Sequence, residues 1–119
     1  MASYTGMEIK AEIVTVDDGP PVVVGFADAP SNPANYLLLS YDPATLDGGL
    51  YIELNDQIRS GYDLVKRIQL LDSSVVIELT SDGQKVIKTG STLTIVIASE
   101  VQNWQSTKQR LATLLHRWL

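Results

Sequence analysis

Residues 50–79 read LYIELNDQIRSGYDLVKRIQLLDSSVVIEL, and this stretch decides the fold. Leu50, Ile52 and Leu54 alternate with Tyr51, Glu53 and Asn55, so one side of the segment is apolar and the other polar, as in a half-buried β-strand. Leu64, Ile68 and Leu70 share a second parity that only Lys66 breaks, and Val75, Ile77 and Leu79 repeat it. The spacing predicts three antiparallel strands in a meander, turning at Ser60-Gly61 and again at Asp72-Ser73-Ser74. The link from Asn55 to Tyr62 is too long for a two-residue hairpin and predicts a bulge or a wider loop, with Gly61 at a positive φ.

A sheet with one apolar face needs a cover. The long stretch of helical period covers residues 100–118, where Val101, Trp104, Lys108, Leu111, Leu115 and Trp118 recur at three- and four-residue spacing. Ser99 and Gln102 match a capping box. This helix is expected to lie across the sheet, with Trp104 and Leu111 as its core anchors and Lys108 as the polar break in its stripe.

The remaining segments extend the sheet. Met7, Ile9, Ala11 and Ile13 alternate with Glu8, Lys10 and Glu12, which predicts one amphipathic strand running to about Val16. Residues 17–21, DDGPP, end it, because neither proline can donate to a ladder. Val22 to Phe26 reads as a short strand covered on both faces or tucked under a loop. Residues 27–35 form a loop. Tyr36 to Tyr41, bounded by Pro33 and Pro43, has strand length. Residues 80–83 read as a turn, residues 84–88 as either a helical turn or a short strand, and Leu93, Ile95 and Ile97 as a β-branched strand of high quality. The expected fold is α+β: an antiparallel sheet of six to seven strands with one C-terminal helix packed across a face, forming a single domain over residues 1–119.

Composition narrows the function. The chain has 119 residues, enough to bury about two thirds of its unfolded surface. It lacks cysteine, which removes disulfides, thiolate metal sites and cysteine nucleophiles together. No apolar run approaches the ~20 residues that span a bilayer, and the opening MASYTGMEIK lacks the basic and apolar blocks of a secretion signal, so a cytoplasmic protein without membrane contact is expected. A lone His116, no Gly-x-Ser-x-Gly elbow and no phosphate-binding loop speak against an enzyme, and no cofactor or metal is expected.

The net charge of −5 is unevenly spread along the chain. Residues 1–56 carry nine acids against the single base Lys10 (−8), and residues 57–119 carry five acids against eight bases (+3). An acidic half repels nucleic acid and favours a basic protein surface. The bland alternative is that these carboxylates only keep the protein soluble.

Gly25-Phe26-Ala27-Asp28, then Asn35-Tyr36-Leu37-Leu38-Leu39, then Tyr51-Ile52-Glu53 and Ser60-Gly61-Tyr62 form an ordered series. Over residues 24–97 this series resembles the tenth numbered family of immunity proteins from bacterial polymorphic toxin systems. The chain departs from that pattern at Ser40, where a glutamine is usual, and at Asp63-Leu64, where glycines are usual. The resemblance implies a small antidote that binds a cognate toxin domain, often a nuclease, and blocks it without chemistry. The expected partner surface combines acidic loops with exposed aromatics: Asp17, Asp18, Asp28, Tyr41, Asp42, Asp47, Tyr51, Glu53 and Asp56. The protein is expected to be a monomer or weak homodimer. The competing expectation is a self-associating structural or interaction module with no toxin partner.

Overall fold

The computed structural model describes residues 6–45 and 48–119. Nine strands are found among them: β1 (Gly6–Ala11), β2 (Ile13–Asp17), β3 (Val22–Ala27), β4 (Tyr36–Tyr41), β5 (Tyr51–Leu54), β6 (Asp56–Tyr62), β7 (Val65–Leu70), β8 (Ser74–Leu79) and β9 (Thr92–Ile97). Two α-helices, α1 (Ser81–Ile87) and α2 (Trp104–Leu114), and a 3₁₀ turn (His116–Trp118) complete the α+β chain.

The single sheet expected from periodicity is in fact two. Strands β2-β3-β4-β5-β6 form an antiparallel meander, and β1-β9-β8-β7 form a second sheet in which β1 runs parallel to β9 and the other pairs are antiparallel. Both sheets bury their inward residues in one continuous core, which joins Ile9, Ile77 and Ile95 of the four-stranded sheet to Phe26, Leu39 and Ile52 of the five-stranded one. Two corners carry the chain from sheet to sheet.

At the first corner Ala98 N donates to Ala11 O at 2.9 Å, while Glu12 N donates to Ala27 O at 2.9 Å, so neighbouring residues pair in different sheets. The strand expected to run unbroken to Val16 is therefore divided at Glu12. Its inward set changes from Ile9 and Ala11 to Val14 and Val16, leaving Ile13 on the outward side beside Ala27. At the second corner Asp63, with φ of 61°, and Leu64 pass the chain from β6 to β7, which cuts residues 50–79 in half. Lys66, the break in the apolar parity, is the extra residue of a β-bulge: Val65 pairs with Leu79 and Arg67 with Glu78.

Turn chemistry departs from expectation in two places. Gly61 lies inside β6 without a positive φ; the left-handed residues are Asn55 and Asp63 at either end of that strand. Asn55 suits the position because its amide side chain accepts from Tyr36 N at 2.7 Å and donates to Asn35 Oδ1 at 2.9 Å. Residues 80–83 begin a helix instead of forming a free turn. Thr80 is the N-cap, its Oγ1 accepting from Gly83 N at 3.0 Å, and Lys88 closes α1 in the left-handed region.

The C-terminal helix starts later than the capping box suggested. Ser99 Oγ donates to Glu100 Oε1, and α2 begins after Asn103, which makes no side-chain cap bond. Tertiary contacts hold it instead. Trp104 Nε1 donates to the Asp72 carbonyl in the β7–β8 turn at 2.8 Å, and the Tyr41 hydroxyl at the end of β4 donates to the Leu114 carbonyl at 2.5 Å. Lys108, at the polar break in the stripe, reaches Asp72 Oδ1 at 3.4 Å. The helix is thus tied both to the β7–β8 turn of one sheet and to β4 of the other, and Trp104 and Leu111 are buried as expected. Among the described residues, no helix is long and apolar enough to cross a membrane.

Candidate functional site

With the inward residues of both sheets committed to the core, the outward face of the five-stranded sheet is the surface to consider for function. Its register places Asp17, Val23, Ser40, Tyr51 and Tyr62 in one row and Thr15, Gly25, Leu38, Glu53 and Ser60 in the next. Tyr36 has the parity of Leu38 on β4 and adds a third aromatic ring to this face. The residues 28–35 loop borders an open cleft of about 220 Å³ on it, lined by Ile13, Gly25, Pro30, Pro33, Tyr36 and Leu38.

Glu53 is the centre of the aromatic group. Its Oε1 accepts from the Tyr51 hydroxyl at 2.5 Å and its Oε2 accepts from the Tyr36 hydroxyl. The Tyr51 ring packs against Tyr62 with centroids 5.3 Å apart at 56°, an arrangement between stacked and edge-to-face. The hydrogen bond to Glu53 pushes the Tyr36 phenol up to about 12, with partial burial and the Glu53 charge adding to it. The Tyr51 phenol is also raised, again chiefly by its bond to Glu53 and against a lowering contribution from Ser60. Both shifts arise because a phenol that loses its proton loses its bond to the carboxylate and leaves two negative charges adjacent.

A measurable consequence follows from the sign of these shifts. The native state holds the Tyr36 proton more tightly than the unfolded chain does, so this stabilisation is fully present below the ordinary tyrosine value of about 10. It is lost as pH rises from there toward about 12. Glu53→Gln is expected to bring the last phenol to ionise down toward about 10 in an ultraviolet absorbance titration. A titration unchanged from wild type would show that the carboxylate does not govern Tyr36.

The nine residues expected at a partner surface do not form one patch. Tyr51 and Glu53 are brought together on the outward face, and Asp17 lies at its edge. Asp18 is ion-paired with Arg110 of α2 at 3.3 Å. Asp42 is exposed and its Oδ1 accepts from Ala44 N at 2.9 Å. Asp28 ties down its loop, Oδ2 accepting from the Asn35 backbone and side-chain nitrogens at 3.0 and 3.3 Å, while its buried Oδ1 has no partner. Asp56 is exposed at the start of β6 and accepts from Ile58 N at 3.0 Å. Asp47 lies outside the described residues.

Tyr41 is a correction. It pairs with Val22 on the inward side, and its ring packs 5.1 Å from that of Trp118, so it serves the docking of the C-terminal segment and not a partner surface. The gathered acidic surface is a second correction. Connections in a meander alternate between ends, so Asp17, Asp18 and Asp42 fall at one end of the sheet and Asp28 and Asp56 at the other. Glu8 projects from a different sheet altogether. Charge separated along the chain is thereby dispersed in space. Tyr36 and Tyr62 were not singled out as partner residues in the sequence, because only the strand register shows that they share a face with Tyr51.

Among the described residues, no three His, Cys, Asp or Glu side chains are gathered to hold a metal ion. No protein-family model, curated protein or solved structure matches this chain.

Proposed function

We propose that this protein is a non-catalytic cytoplasmic antidote that binds and neutralises a cognate bacterial toxin domain, as its resemblance to the tenth numbered family of immunity proteins implies. The observation that supports a binding role most directly is the outward aromatic group of Tyr36, Tyr51 and Tyr62 around Glu53. Tyrosines offer large amphipathic contact area at low entropic cost and are enriched among the residues that dominate protein interfaces. Here two of them are already fixed by a carboxylate, so little ordering is left to be done on binding. In this reading the tyrosine face holds the complex, and the carboxylates at the sheet ends, Asp17, Asp42 and Asp56, speed its formation with a basic partner.

The test is co-expression with candidate toxin domains, first any encoded by an adjacent reading frame. The wild-type chain is expected to restore growth, and the double variant Tyr51→Ala with Tyr62→Ala is expected to fail while still melting cooperatively. Continued toxicity with the wild-type chain would overturn the antidote reading. Full rescue by the double variant would remove the tyrosine face from it.

A further inference from the structure

Strand β6 leaves the ladder in its middle. Leu54 faces Asp56 and Glu53 faces Ser60, so residues 57–59 have no counterpart on β5 and stand out as a wide bulge. At its centre Ile58 is 81% exposed, more than any other large hydrophobic residue of the described chain. A single exposed aliphatic side chain is ordinary on a protein surface. This one differs because side-chain bonds hold the bulge from several directions.

Asp56 Oδ1 accepts from Ile58 N at 3.0 Å, and Ser60 Oγ donates to the Gln57 carbonyl at 2.5 Å. Arg59 Nε donates at 2.8 Å to the carbonyl of Ile87, the last residue of α1, and so ties the bulge to a second element. These bonds keep the backbone from relaxing into the ladder. Tyr62, 64% exposed, lies four residues further along the same edge strand, and the exposed carboxylates Asp56 and Asp63 stand at its two ends. The β6 edge therefore presents two apolar anchors between acids.

We infer that Ile58 is a preformed anchor of the partner interface, inserting into an apolar pocket of a foreign protein whose rim carries lysine or arginine opposite Asp56 and Asp63. This rests on the reading above that the chain acts by binding another protein, and it adds the chemistry of the surface bound. Preorganisation is the physical reason: a bulge already clamped in its bound shape gives up little entropy on docking. A second copy of this chain is the poorer occupant. Self-association would bring together two chains that each carry a net charge of −5.

The experiment is calorimetric titration of the full chain with the purified toxin domain that the co-expression test identifies. Ile58→Ala is expected to weaken Kd by about thirtyfold or more, the range of an interface hot spot. Its melting temperature should hold, since the side chain contributes little to the core. Arg59→Ala, which frees the bulge but keeps Ile58, is expected to weaken binding by a smaller factor. Leu71→Ala, an exposed apolar residue beyond the end of β7, is expected to bind as wild type. Tight binding by the wild-type chain with an unchanged Kd for Ile58→Ala would overturn the anchor and leave the binding role standing. An absence of wild-type binding would overturn both. A wild-type dimer in sedimentation that Ile58→Asp converts to monomer would show that the pocket belongs to a second copy, and would overturn the foreign partner.

Discussion

Trp104→Ala is expected to lower stability by about 3–5 kcal/mol, the range for truncating a large aromatic residue in a core. The indole is 8% exposed, belongs to the continuous core, and donates its N–H to the Asp72 carbonyl at 2.8 Å. Helix α2 is short and begins after a residue that makes no side-chain cap bond, so its position depends on such tertiary contacts more than on its own propensity. Trp104→Phe separates the two contributions. It keeps most of the buried ring and removes the hydrogen bond, for a smaller loss of about 1–2 kcal/mol. Urea denaturation followed by far-ultraviolet circular dichroism reads both variants. A loss under about 1 kcal/mol for Trp104→Ala would mean that α2 is not part of the cooperative core.

Gly83→Ala is expected to destabilise the protein, which reverses the usual sign. A glycine inside a helix is ordinarily about 1 kcal/mol worse than alanine. At Gly83 a Cβ would come within 2.3 Å of the Leu64 carbonyl oxygen and 3.1 Å of Leu79 Cβ. That carbonyl is not free to retreat, because it accepts from Thr80 N at 2.9 Å and from Thr80 Oγ1 at 3.3 Å. Thr80 is also the N-cap of α1, so the corner between β6 and β7, the cap and the helix are locked together at one point. The overpacking cost of about 1–3 kcal/mol outweighs the helical gain. A higher denaturation midpoint for Gly83→Ala than for wild type would show that α1 is not pressed against that corner.

These two positions illustrate what could be read in advance. Trp104 and Leu111 were legible as core residues because a helix repeats its buried face every three or four positions regardless of what it packs against. Gly83 was not, since the atom it must avoid belongs to Leu64, and no local pattern encodes that approach. The candidate site divides in the same way. Tyr51 and Glu53 alternate with Ile52 and Leu54, so their outward placement was evident. Tyr36 sits next to three leucines and gains its role only when β4 and β5 pair in the observed register, which brings its hydroxyl to Glu53. Tyr41, two residues beyond Leu39, is turned inward by the alternation of β4, which its strand length alone did not reveal, and Trp118 packs against it.

The sequence by itself determined the local elements: the apolar side of β5 and β8, the extent of β4 and β9, the loop at residues 27–35 to within one residue, and the anchors of α2. Each follows from alternation, helical spacing or the constraints of proline, which act within a few residues. Only the tertiary structure decided that the strands divide between two sheets, that β1 lies parallel to β9, and that the acids of the first half are dispersed to opposite ends. The reason is that two sheets facing one core require the same alternation as one sheet with a covered face. A corner such as Glu12 or Asp63 costs no more than a single residue of phase, and sheet membership is set by hydrogen bonds between residues far apart in the chain.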